Sequence, residues 1–228
     1  MYFGHFAVGM AVKAKFKDVP LLPIMLGAGF LDVINGTLVA LGIEKVTANL
    51  NALPYLYFDL TFIDWDHSLL MALLWSALWG ALFYKNKTVA WVAALACFLH
   101  FVADIPMHNA DLALYPYANQ YLGWGLWGKW GVWSWVFEIG FAALLLLYAY
   151  FSHLKQGENI LLQVIFIAIL AAQMSPWTSP MKHVAMLAEP YASVIHGILV
   201  AAGFIIPTII LSYLYKRSHQ LSLVQAKD

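Results

Sequence analysis

Six apolar segments, separated by short charged or polar stretches, leave this chain little choice of environment. They fall at roughly 21–42, 67–84, 88–105, 130–152, 159–175 and 191–215. Each is long enough, or nearly so, to cross a hydrocarbon core about 30 Å thick. Hydrophobic residues make up 63% of the 228 positions, far above a soluble domain. The predicted fold class is all-α: one polytopic membrane helical bundle over 1–228, with six full spans. A seventh segment, roughly 2–14, is too short to span alone, so it is expected as a short inserted helix that turns at Lys13–Pro20 into the first span. A helix lying on the membrane surface is the alternative.

Charge distribution orients these segments. Twelve Lys/Arg balance twelve Asp/Glu, so bulk charge points to no nucleic-acid partner. Lys13, Lys15, Lys17, Lys85, Lys87, Lys155, Lys216, Arg217 and Lys227 fall on one side, against Lys45, Lys129 and Lys182 on the other. The positive-inside rule makes the first group cytoplasmic, with the C-terminus inside and loops 43–66, 106–129 and 176–190 outward. The leading lysines follow the first apolar stretch, which does not match a cleavable signal.

The stretch CFLHFVADIPMHNADLALYP concentrates chemistry. His100, Asp104 and His108 lie at i, i+4 and i+8, and residues four apart share a helical face, so His100 and Asp104 can converge on one point. Pro106 predicts the helix end and places His108 on the exit loop. A His–Asp pair without metal is the plainer alternative. The single cysteine, Cys97, excludes an internal disulfide and a thiolate cluster, which leaves His and carboxylate as ligand types.

Depth ties distant segments together. At 1.5 Å per residue, Asp32 lies about 18 Å from Pro20 and His100 about 20 Å from Lys87, while His5 lies about 12–18 Å from the lysine turn. Asp104, Glu138 and His67 lie at about 25–27 Å from their basic flanks. Three carboxylates at helix centres cost on the order of 8–10 kcal/mol if unpaired, and none of these segments has an intramembrane Lys or Arg to offset it. Histidines, protons or a shared divalent cation can. Glu138 is the weakest member, because it can instead reach a Trp N–H or the interface.

Around the second span, Asp59, Asp64, Asp66 and His67 precede an apolar run, and Asp66 is placed to cap that helix. His196 and His183 read as core or loop histidines, and His153 and His219 as interfacial residues. Trp124, Trp127, Trp130 and Trp133, spaced by three with glycines between, read first as an interfacial belt and second as a lid over the site.

GHFAVGMAVKAKFK, LGAGFLD, DHSLLMALLWS and FLHFVADIPMHNADLALYP, in that order over about the first 120 residues, resemble the bacterial inner-membrane family of membrane-bound metal-dependent hydrolases. That family is distantly similar to the zinc-dependent phospholipase C group. The resemblance implies His5, Asp32, His67, His100 and Asp104 as metal ligands. It also implies a bacterial inner-membrane location and a lipid or lipid-linked phosphoester substrate. The chain departs from the pattern at Ile34, Asn35 and Phe62, where typical members carry Asp, His and His; Asp64, Asp66 and His108 are the replacements at hand.

The expected function is a membrane-embedded hydrolase holding zinc, or else manganese, near the outer leaflet, with Asp104 or Asp64 as general base. A proton- or cation-coupled transporter is the rival: Gly27, Gly29 and Gly36 around Asp32 fit an interrupted helix of the kind that lines transport sites. An assembly protein whose polar cluster is structural glue is the third reading.

Overall fold

A computed structural model describes residues 1–225, with side chains through Gln220. It is mostly helical. The order is α1 (Tyr2–Lys15), α2 (Leu21–Ala28), α3 (Phe30–Ala40), β1 (Lys45–Ala48), β2 (Phe58–Phe62), α4 (Asp64–His67), α5 (Leu69–Ala81), α6 (Lys87–Asp104), α7 (Leu126–Trp130), α8 (Val132–Leu154), α9 (Leu161–Gln173), α10 (Met181–Val184) and α11 (Tyr191–Gln225). The all-α expectation needs one correction: β1 and β2 form an antiparallel hairpin, Val46 opposite Leu60 and Ala48 opposite Phe58.

The expected six spans also change. Among the described residues three helices are long and apolar enough to cross a membrane: Lys87–Asp104, Val132–Leu154 and Tyr191–Gln220. The 21–42 segment is a bent pair, α2 and α3, broken by 51° at Gly29, and counts as a fourth if taken as one span. The 67–84 and 159–175 segments shrink to helices of 13 residues each, about 20 Å long. Local chemistry explains the first of these. Ser68 is extended and its side chain caps α5 by accepting from Met71 N, in the place expected for Asp66. The carbonyls of Ala113 and Leu114 take up the amides of Leu69 and Leu70, so the helix starts there.

The short N-terminal helix is not a surface helix. Eleven of its fourteen residues are buried, and Phe3, Phe6 and Met10 pack with Ala142 and Ala149 of α8 and Ile167 of α9. At its end Lys13 is buried, donates to the carbonyls of Lys17 and Val19, and lies over the Tyr215 ring. That end of the bundle is tied by Glu158, which accepts from His153, Tyr215 and His219 and so links the α8–α9 turn to α11. His153, buried, and His219, half exposed, are thus both partners of Glu158 at that end. At the other end the long connections meet: Tyr57 donates to the Pro176 carbonyl, Ser179 to that of Tyr55, and the Tyr117 amide to Asp64.

Helices α3 and α11 cross at two glycines. A Cβ on Gly36 would stand 2.4 Å from the Gly197 carbonyl oxygen, and one on Gly197 would stand 2.4 Å from that of Gly36. Backbone meets backbone there, and no flexible side chain can yield. Gly36→Leu is expected to lower stability by about 1–3 kcal/mol or more, read as a reduced unfolding temperature in detergent. An unchanged transition would refute this packing.

Candidate metal centre

Four imidazoles and two carboxylates converge from five stretches of chain. His5 comes from α1, Asp32 from the first turn of α3, His67 from α4, His100 and Asp104 from α6, and His108 from the loop beyond it. Helix α6 ends at Asp104, as Pro106 predicts, and the Asp104 carbonyl accepts from the amides of Met107 and His108. That turn folds His108 back over the helix end.

Asp104 is the hub. Its Oδ2 lies 3.1 Å from His100 Nε2, 3.6 Å from His67 Nε2 and 3.7 Å from His108 Nε2. Its Oδ1 lies 3.2 Å from His5 Nε2 and accepts the Met1 amine. Asp32 faces the same point, 3.6 Å from His100 Nε2 and 3.7 Å from His67 Nε2. Three overlapping triads result: His5/His100/Asp104, Asp32/His67/His100 and His67/Asp104/His108, each with ligand atoms within 4.8 Å of one another. A tetrahedron around an ion with bonds of about 2.0–2.1 Å has edges of about 3.3–3.4 Å, which these separations bracket.

The groups behind the imidazoles set their tautomers. His100 Nδ1 is 2.7 Å from the Ala28 carbonyl, which can only accept, so Nδ1 carries the proton. The break at Gly29 is what turns this carbonyl toward α6. His108 Nδ1 is 3.0 Å from Asp111 Oδ1, and His67 Nδ1 lies 3.0 Å from Asp66 Oδ2. Protons on Nδ1 of His100 and His108 leave two Nε2 lone pairs pointing at the centre, while His67 Nδ1, close to Asp66, makes no hydrogen bond. His67 Nε2 and His100 Nε2 are 3.2 Å apart, so without a cation one must donate to the other. Asp104 Oδ2 is buried with no hydrogen-bond partner. A divalent cation would satisfy all of these atoms at once, so the donor set fits one.

Family models, curated proteins and solved structures offer no match to this chain. The chemistry of the site is therefore read from its own geometry.

Depth reasoning and motif order name His5, Asp32, His67, His100 and Asp104; spacing names His108. The structure brings all six together. Asp64 stands apart: its carboxylate accepts the Tyr117 amide and faces the 110–121 loop. Glu138 is fully buried, but beside the group and not in it, accepting from the Tyr55 hydroxyl (2.5 Å) and the Gly4 amide (3.4 Å). No Trp N–H or interface is involved. Of the four spaced tryptophans, Trp124, Trp130 and Trp133 are exposed, as a belt requires, while Trp127 is buried with its ring 4.4 Å from that of His108. Trp127 roofs the site, on a helical turn between Gly125 and Gly131, both at positive φ. Cys97 and His196 are buried, and His183 is exposed on α10.

Glu44 is the acidic residue that spacing does not reveal. It is buried, accepts from Asn35 Nδ2 (3.0 Å) and the Trp65 amide (2.9 Å), and faces Asp66. Asn35 is thus committed to Glu44. Burial first, and the Asp66 charge second, push the Glu44 carboxyl up to about 10. It holds its proton in the folded chain at pH 7 and loses it in the unfolded one, so the folded state binds more protons and stability falls as pH rises above about 4.5. The unfolding temperature of Glu44→Gln is expected to exceed that of the wild type by a margin that grows from pH 6 to pH 9. A constant margin would refute the buried, protonated state.

Proposed function

We propose that the chain is a membrane protein that binds a divalent cation, zinc in first place and manganese in second, and uses it for hydrolysis. Asp104 Oδ2, buried among three imidazole nitrogens without a hydrogen bond, is the observation that carries this reading. When bound, such a cation lowers the pKa of a coordinated water and polarises the bond under attack. Asp104 is enclosed by imidazoles and serves as ligand. Asp32 is the member most open to the adjoining cavity, its side chain 20% exposed, and takes the role of proton acceptor. Ala28, Asp66 and Asp111 hold the rings in register.

In this reading α5 and α9 lie in the bilayer beside the longer helices, which accounts for exposed Leu70, Leu73, Leu74 and Leu78 on one and Leu162, Ile165 and Ile169 on the other. The lysine-rich ends face the cytoplasm, and the centre sits toward the outer leaflet of a bacterial inner membrane. The order of motifs shared with membrane-bound metal-dependent hydrolases supports the reaction class.

Detergent-purified protein, chelated and then restored with zinc, is expected to cleave p-nitrophenyl phosphate or its diester, with Asp32→Asn losing turnover while keeping its metal. The broken α2–α3 helix at the site favours cation transport as a second reading. A metal-loaded protein that cleaves neither ester, yet carries zinc across proteoliposomes, would replace the first reading with that one.

A further inference from the structure

A cavity of about 540 Å³ opens from the metal centre. Its inner end is polar, with Asp32, His67 and His108, and its outer end passes between α9 and α11 to Ile169, Ile206 and Ile210. Ile169 is 57% and Ile206 56% exposed, so the mouth merges with the apolar outer surface of the two helices. From His196 to Ile210 the α11 wall runs about 21 Å. A water-soluble substrate would not call for a tunnel that leaves through the membrane-facing side.

Two side chains that line the cavity each carry a polar atom with nothing to bond, buried behind the lining surface. Trp127 Nε1 and His196 Nδ1 both belong to side chains that line it, 3% and 4% exposed, and neither has a hydrogen-bond partner. Leaving buried polar atoms unpaired is costly, and both lie on side chains of the cavity wall, where a bound ligand that shifts the wall can reach them.

The level of the polar end follows from α11. Gly36 meets Gly197 and Gly29 meets Phe204, so Asp32 lies level with residues near 200. That is about 24 Å along the helix from Lys216. In a core about 30 Å thick this is close to the surface away from the lysine-rich end.

We infer that this cavity is a lipid site. It takes a phosphate-bearing membrane lipid from the leaflet opposite the lysine-rich end, with the head group at Asp32, His67 and His108 and an acyl chain leaving between α9 and α11. The inference rests on the metal reading for its head-group chemistry, since among the described residues no Lys or Arg lines the cavity and a phosphate needs the cation.

The test is photolabelling in phosphatidylcholine nanodiscs with phosphatidic acid carrying a diazirine at mid-chain. Label is expected on α9 and α11 residues of the cavity. Gly203→Phe fills the cavity wall, where a Cβ meets the Tyr2 ring at an ordinary 3.4 Å, and Ile206→Trp plugs the mouth. Each is expected to cut that labelling at least tenfold with zinc content unchanged, while Leu144→Trp on the exposed face of α8 leaves it intact. Zinc-loaded protein labelled evenly over its outer faces, insensitive to both blocking variants, would overturn the lipid site and leave the metal reading standing. Zinc-free protein labelled in the cavity as strongly as the zinc-loaded form would overturn the head-group assignment, since the lipid would then be held without the cation.

Discussion

His100→Ala is expected to weaken zinc binding by well over 100-fold, measured by competition with a chromophoric chelator. His100 belongs to two of the three ligand triads, and its Nε2 is the nitrogen nearest Asp104 Oδ2. Losing a group that merely orients a ligand costs about 10–100-fold in metal affinity, so losing the ligand itself must cost more. The fold should survive, because the ring lies between α6 and the α2–α3 break and its removal leaves the apolar contacts of Phe101 and Cys97 in place. A variant that binds zinc as tightly as the wild type would show that these nitrogens converge for another reason.

Asp66→Asn is expected to produce the second effect, a loss of about 10–100-fold in zinc affinity without loss of a ligand. Asp66 is fully buried, 3.0 Å from His67 Nδ1, with both carboxylate oxygens lacking a hydrogen-bond partner. On metal binding this carboxylate is placed to accept a proton held on Nδ1 and so to make the ring a stronger donor. Asparagine retains the shape and removes the charge. A role confined to capping α5 would leave the affinity unchanged, and the cap is in any case supplied by Ser68.

What the sequence makes legible follows the range of each interaction. His100, Asp104 and His108 stand out because their spacing is local and the surrounding run is apolar. Asp32, His5 and His67 can be placed by depth, because basic residues mark one end of each helix and rise per residue is constant. Depth singles out Glu138 as well, but its partner Tyr55 escapes this reasoning, since the pair is 83 residues apart and Tyr55 sits in a loop with no period. Glu44 is hidden as well: the turn after α3 returns it to Asn35, and the hairpin brings Trp65 to it. Hydropathy also overstates helix length. Apolar residues continue through 67–84, but the extended backbone of Ser68 and the carbonyls of the 113–114 loop start α5 at Leu69. The bend at Gly29 is foreshadowed by the glycines around Asp32, though its use, presenting the Ala28 carbonyl to His100, is visible only in three dimensions.

Elemental analysis of the detergent-purified protein, prepared with neither added metal nor chelator, tests the central claim most directly. Wild type beside the double variant His100→Ala/Asp104→Ala is the needed pair. At least one equivalent of zinc or manganese in the wild type and none in the variant is the result predicted by convergence of four imidazoles on Asp104. A metal-free wild type that also takes up no zinc on titration would contradict it.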